Sequence, residues 1–204
     1  MSARSVAIVA TGGANIASLS YALERLGVRA TLAADPATIR DASHVILPGV
    51  GAAGDAMRRL RASGLDRVIT QLPQPVLGIC LGMQLLFDAS AEGPATCLGI
   101  LPGRVERLDA GPDRPVPHIG WNTLEPRAAS PLLEGLRAGD RAYFVHSYAA
   151  PVADATIATT TYGTPFSACV QRNRFFGVQF HPERSAAVGA RVLANFLGVD
   201  SRCS

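Results

Sequence analysis

Hydrophobic and polar positions alternate along the first 90 residues in a repeating rhythm. Short all-apolar runs are followed by segments with helical spacing. "SVAIVA" is an unbroken apolar run, as expected of a strand buried on both faces. In "NIASLSYALERLG", Ile16, Leu19, Leu23 and Leu26 recur every three or four residues, Asn15 is placed to cap the start and Gly27 to end it. The rhythm continues with a strand in "VRATLAA", a short helix in "DPATIRDA" with Pro36 at its first position, and a third strand, "HVILPGVG", running into a glycine turn. Helices follow in "AAGDAMRRLRASG" and "LDRVITQL", then a fourth strand, "PVLGIC", and a helix predicted over "LGMQLLFDAS". Strands alternating with helices predict an α/β fold with a mostly parallel central sheet flanked by helices.

After Glu92 the pattern changes. "LGILPGRVERL", "RAYFVHSYAAPV", "ATIATTTYG" and "FSACVQRNRFFGVQF" are strand-like, and "VQRNRFFGVQF" reads as a hairpin, so a smaller antiparallel sheet extension is expected. "AAVGARVLANFL" closes the pattern as a helix with Val188, Val192, Leu193 and Phe196 on one face, and the tail after Gly198 is expected to be loose. With no linker or repeat, residues 1–204 are read as one domain.

Composition narrows the function. The 204 residues are 48% hydrophobic and 17% charged, with a net charge of only +3. All 19 cations are arginine. Without lysine there is neither a Schiff-base lysine nor a Walker-type phosphate loop. The arginines form no stripe that would follow a nucleic-acid backbone, so no nucleic-acid partner is expected. The N-terminal apolar run is too short for a signal peptide or a spanning helix, which predicts a cytoplasmic protein without membrane contact. Four cysteines, with no CxxC pair, point to reduced thiols and away from zinc or thioredoxin-type motifs. No HxH or HExxH spacing suggests a metal site, and no cofactor is expected.

Gly78-Ile79-Cys80-Leu81-Gly82 has the spacing of a nucleophile elbow. A strand must turn abruptly into a helix there, and glycines two before and two after Cys80 relieve the crowding. A cysteine at that point meets the positive end of a helix, and the amide of Leu81 is placed to donate to an oxyanion. The competing reading is a buried structural cysteine. A thiolate needs an acid/base partner, for which four histidines compete. His44 opens an apolar strand and reads as structural. His118, in "PVPHIGWN", reads as a loop or interface group, and His146, in "YFVHSY", as a packed core histidine. His181 follows the run "FFGVQF" and precedes Pro182, which places it at a strand end; Glu183, two residues on, has the position of an orienting carboxylate. "HPE" by itself is a weak motif. In "LPGVGAAG" the glycines flanking Val50 (Gly49 and Gly51) allow backbone amides to approach a ligand as the other half of an oxyanion hole, or else form a plain turn.

"GICLGMQLL", "GVQFHPE" and "PGVG" together resemble the class I glutamine amidotransferases, the Cys-His-Glu glutaminases with a flavodoxin-like fold. "PHIGWN", "YFVHSY" and "QFHPERS" extend the resemblance over nearly the whole chain, to the glutaminase subunits of imidazole glycerol phosphate synthases of histidine biosynthesis. The resemblance implies hydrolysis of L-glutamine and delivery of ammonia to a cyclase subunit with a (β/α)8 barrel, in a heterodimer. It implies Cys80 as nucleophile, His181 as acid/base and Glu183 as orienting carboxylate. Gly49, Val50 and Gly51 would form the oxyanion strand, and Gln84, Ser147 and Tyr148 would contact glutamine. Asn15, Trp121 and Tyr143 would lie near the partner. The sequence departs from the pattern at the first turn, "ATGGANI", where Ala14 replaces the glycine usual before Asn15 and the usual Asp-Tyr pair is missing, and at Arg184, which stands where many relatives carry a lysine at an interface gate. Other readings are a glutaminase subunit of a different ammonia-using synthase, a stand-alone cysteine amide hydrolase, and an inactive scaffold.

Overall fold

A computed structural model describes residues 5–11 and 16–200. The cap and interface roles expected of Asn15, the Ala14 departure, Cys203 and the tail from residue 201 lie outside the described residues. β1 (Val6–Val9), α1 (Ile16–Arg25), β2 (Ala30–Ala33), α2 (Pro36–Asp41), β3 (His44–Gly49), α3 (Ala53–Ala62), α4 (Leu65–Ile69) and β4 (Val76–Cys80) alternate as predicted. Asp35 caps α2 by accepting the Thr38 N–H at 2.9 Å. α1 closes with Gly27 at φ 77°, where the Val28 N–H bonds the Leu23 carbonyl.

The next stretch departs from expectation. The helix predicted over residues 81–90 is one turn, α5 (Leu81–Gln84), and Phe87–Ser90 is a strand, β5. Leu81, Met83, Leu85, Leu86 and Phe87 are all buried, so this run has no polar face and its periodicity does not separate helix from strand. There follow β6 (Ala95–Thr96), β7 (Leu101–Arg107), β8 (His118–Thr123), β9 (Glu125–Pro126), β10 (Arg141–His146), β11 (Tyr148–Ala149), β12 (Thr156–Tyr162), β13 (Thr164–Arg172), β14 (Phe175–Val178) and α6 (Ala186–Gly198). β13 and β14 form the predicted hairpin. "PHIGWN", read as a loop, is instead strand β8, paired antiparallel with β10.

The main sheet has the order β2-β1-β3-β4-β14-β13-β12-β9. Pairings from β2 to β14 are parallel and those from β14 to β9 antiparallel, so the extension belongs to the same sheet. Two smaller sheets, β10-β8 and β11-β7-β5-β6, stand beside it. Each apolar strand feeds two cores because successive side chains alternate faces. Val6, Ile8, Ile46 and Val178 pack with Leu19, Leu23 and Phe196 of α1 and α6. Ala7, Val9, Val45 and Leu47 pack with Ile39, Met57, Leu60 and Ile69 of α2, α3 and α4. Parallel pairing brings the carboxyl ends of β3, β4 and β14 to one edge. No helix among the described residues is long and apolar enough to cross a membrane.

Candidate active site

Cys80 ends β4 at φ 53°, ψ −112°, a strained conformation for a residue with a side chain. The neighbouring glycines make it possible. A Cβ at Gly82 would lie 1.7 Å from the Leu47 carbonyl oxygen, and one at Gly78 2.6 Å from the Gly82 oxygen. The elbow is therefore pressed directly against β3, closer than any other residue type permits. Because α5 is a single turn, its contribution at Cys80 is local, from the free N–H groups of that turn rather than from a long helix.

Gly49 is the register partner of Cys80, so the Val50–Gly51 segment leaves β3 beside the sulfur. Gly51 sits at φ 86°, a turn that favours glycine. β14 lies on the other side of β4, with Val178 opposite Ile79. The strand stops at Val178, so His181 lies three residues past it rather than at its last position. Its N–H bonds the Tyr143 carbonyl at 2.9 Å, and the Ser185 hydroxyl donates to its carbonyl at 2.7 Å. The following 3-10 turn, Pro182–Arg184, carries Glu183 back so that its Oε1 lies 2.9 Å from His181 Nδ1. Among the described residues, buried Glu183 Oε2 has no hydrogen-bond partner. Burial opposes a charge on the His181 ring, but hydrogen bonds to Cys80 and Glu183 and their negative charges outweigh it. The pKa is pushed up to about 10. His181 is thus an imidazolium at neutral pH, with a proton to give.

A cavity of about 200 Å³ opens on this group, lined by Val50, Cys80, Gln84, Ser147, Tyr148 and His181, with Gly51, Leu81, Glu92, Val145 and His146 completing it. The sequence-predicted nucleophile, base, oxyanion segment and substrate contacts thus surround one space. Among the described residues no cluster of metal-ligating side chains is present.

A family model, glutamine amidotransferase class-I, matches residues 8–199. The chain belongs to the class-I glutamine amidotransferase family. Imidazole glycerol phosphate synthase subunit HisH of Xylella fastidiosa is 53% identical over 196 residues, covering 96% of this chain and 98% of the relative. The subunit of the same name from Xanthomonas axonopodis pv. citri is 54% identical over 192 residues, covering 94% and 96%. The solved structure of PurLQS from Thermotoga maritima shares the fold, with a TM-score of 0.74 at 19% identity over 96% of this chain and 98% of that one.

The amidotransferase also brings in residues that sequence reasoning missed. Glu92 joins the cavity wall and accepts the Ala53 N–H at 3.1 Å. Burial raises its pKa, repulsion from Asp55 adds to this, and the Ala53 N–H acts against them. Gln179, fully buried, has its Nε2 3.7 Å from Cys80 Sγ. Its only sequence signal is a polar residue inside the apolar run "FFGVQF". His118 is buried rather than in a loop, with its Nδ1 3.0 Å from His146 Nε2. Burial drives His118 down to about 4 and His146 to about 3, the latter helped by the nearby His118 and His181 against its bond to the Tyr148 carbonyl. Both are neutral at pH 7. His44 is structural as expected, with Nε2 2.9 Å from the Val199 carbonyl oxygen. Cys97 and Cys169 are buried free thiols, both pushed up by desolvation, Cys97 to about 11.

The outer face of the β8–β10 ribbon carries Ile119 (61% exposed) and Trp121 (45%). Tyr143 is the register partner of Trp121, their rings 5.9 Å apart, and the Arg184 guanidinium stands 4.6 Å above the Tyr143 ring. Trp121, Tyr143 and Arg184 thus form one patch beside the site.

Proposed function

We propose that this chain is the glutamine-hydrolysing subunit of an imidazole glycerol phosphate synthase, with Cys80, His181 and Glu183 as its catalytic residues. The observation that carries the reading is the strained Cys80 elbow at the carboxyl end of a central strand, with the His181–Glu183 pair against it. The Cys80 thiolate attacks the side-chain carbonyl carbon of L-glutamine, and the carbonyl π electrons move to oxygen. The amide of Leu81 and one from the Gly49–Val50–Gly51 segment hold that oxyanion. Collapse expels ammonia, which takes its proton from His181 and leaves a glutamyl thioester on Cys80. Neutral His181 then removes a proton from water as it attacks the thioester, releasing glutamate and restoring the thiolate–imidazolium pair. Gln84, Ser147 and Tyr148 cradle the amino-acid end of the substrate, and the Glu92 carboxylate faces its ammonium. No cofactor enters these steps.

Residues 1–204 act as one domain in the cytoplasm, where the thiols stay reduced. The ammonia passes to a (β/α)8-barrel cyclase subunit in a heterodimer. The patch of Ile119, Trp121, Tyr143 and Arg184 is the surface we assign to it, since aromatic residues and arginine are the common anchors of such contacts. Asn15 is assigned to the same interface.

The deciding experiment is glutamate release by the chain alone, and with the barrel subunit and its nucleotide ligand. Strong stimulation by the partner is expected, because Val50 and its peptide sit on an exposed turn that a partner can reposition. Absence of stimulation overturns the synthase assignment. In the complex, Cys80→Ser should abolish glutamine use and leave ammonia-dependent synthesis intact; loss of both would make Cys80 structural.

A further inference from the structure

The buried polar groups behind Cys80 form a chain of hydrogen bonds whose direction is fixed at both ends. A carbonyl oxygen only accepts, with two lone pairs. The Tyr148 carbonyl takes one bond from Gln84 Nε2 at 2.8 Å and another from His146 Nδ1 at 2.9 Å. Nδ1 of neutral His146 therefore carries the proton and Nε2 is bare. That bare nitrogen accepts from His118 Nδ1, 3.0 Å away, which leaves His118 Nε2 bare in turn. The Asn122 amide nitrogen faces it at 3.4 Å, and is itself oriented by donating to the Thr161 carbonyl at 3.0 Å. In the other direction, Gln84 Nε2 also donates to Gln179 Oε1 at 3.0 Å. With its oxygen committed to Gln84, Gln179 turns its N–H toward the Cys80 sulfur.

We propose that Gln179 is a further catalytic residue: its amide N–H donates to the Cys80 sulfur, and two arms of hydrogen bonds that meet at the Tyr148 carbonyl, one through Gln84 and one through His146 and His118, hold it there. The proposal rests on Cys80 being the nucleophile. A donor on sulfur favours the thiolate that attacks glutamine, and again the thiolate that departs when water cleaves the thioester. The sulfur then has distinct neighbours for distinct states. The Val145 carbonyl, 3.7 Å away, can accept only from a thiol, whereas Gln179 donates to a thiolate. The chain also explains a pair of buried histidines that the hydrolysis itself does not use: His118 on β8 and His146 on β10 are register partners, and Ile119 and Trp121 are exposed on the same ribbon.

The test compares Gln179→Met, similar in length but without a donor, with the wild-type chain. Two rates are read: alkylation of Cys80 by iodoacetamide at pH 7, followed on the Cys80 peptide by mass spectrometry, and glutaminase turnover in the complex. Both should fall about tenfold, the size expected for one hydrogen bond to a charged group, with an unchanged melting temperature. Cys80→Ala is the control: glutaminase surviving in it would overturn the nucleophile reading itself, whatever Gln179 does. If Cys80→Ala is inactive and Gln179→Met matches wild type, the Gln179 proposal alone is overturned. If Gln179→Met does not fold, His118 decides. His118→Phe keeps the ring stacked between Phe144 and Tyr162 but cannot donate to His146, whereas His118→Gln donates and accepts. Slower alkylation in His118→Phe with recovery in His118→Gln supports the chain. Equal rates, or phenylalanine as the better replacement, overturn it.

Discussion

Two sets of histidines serve the same sulfur in opposite charge states, His181 beside it and the His118–His146 pair at the far end of a hydrogen-bond chain. His181 is largely buried, with 14% of its side chain exposed, yet it is held protonated up to about 10. His118 and His146 are buried to a similar degree, and are held neutral down to about 4 and 3. Burial pushes all three the same way, so the difference comes from what each ring faces. His181 faces a carboxylate and a sulfur, both negative when ionised. His146 faces a carbonyl and another imidazole, which satisfy its ring nitrogens without offering a charge. An acid and a neutral positioning chain are thus built from one residue type by choice of neighbour.

Replacing one member of each set is the strongest way to break this comparison. His181→Asn should lower glutaminase kcat in the complex by roughly a thousandfold, the middle of the range for loss of a general acid and base. His146→Asn should lower kcat by only about tenfold, because it breaks the chain that holds Gln179 on the Cys80 sulfur. Equal kcat losses in steady-state glutamate assays would show that the two sets share one role.

Exchanging the neighbour rather than the ring gives a smaller effect. Glu183→Gln keeps an acceptor for His181 Nδ1 but removes the negative charge. The His181 pKa should fall from about 10, so the alkaline limb of the kcat profile moves to lower pH. Turnover at neutral pH should drop on the order of tenfold, as one charge-assisted hydrogen bond becomes a neutral one. An alkaline limb that stays in place would show that Glu183 is not what raises His181.

The two sets were not equally legible in the sequence. Gly78-x-Cys80-x-Gly82 and His181-x-Glu183 announce themselves by short spacing, because an elbow and an ion pair two residues apart are local constraints. That they meet is topological: β14 returns from about a hundred residues later to pair beside β4, with Val178 against Ile79. The first four strands and four helices were legible because their runs are mostly apolar or amphipathic. β8 was not, because its pattern is inverted. Ile119 and Trp121 point outward while His118 points in, so an alternation rule that sends apolar residues inward reads no strand. The helix expected to Ser90 failed for the opposite reason, since a run buried on every side carries no period at all. Gln179 lies inside "GVQFHPE", where nothing in the sequence tells its role, and Glu92 lies in no motif; only the folded chain brings the one to the Cys80 sulfur and the other to the cavity wall.

The smallest effect expected is on stability, where the two sets should act in opposite pH windows. An imidazole in the unfolded chain titrates near about 6.5. His181 is raised in the fold, so its contribution is complete below that pH and is lost as pH rises toward about 10. His118 and His146 are lowered, so theirs is complete above about 6.5 and is lost as pH falls through the range down to about 4 and 3. Urea unfolding of wild type, His181→Asn and His118→Gln at pH 4, 7 and 10 separates them. The advantage of wild type over His181→Asn should shrink from pH 7 to pH 10, and its stability should fall more steeply than that of His118→Gln from pH 7 to pH 4. Parallel curves for all three proteins would mean that their neighbours do not set the charge states of these rings, and the division between acid and neutral chain would fall with them.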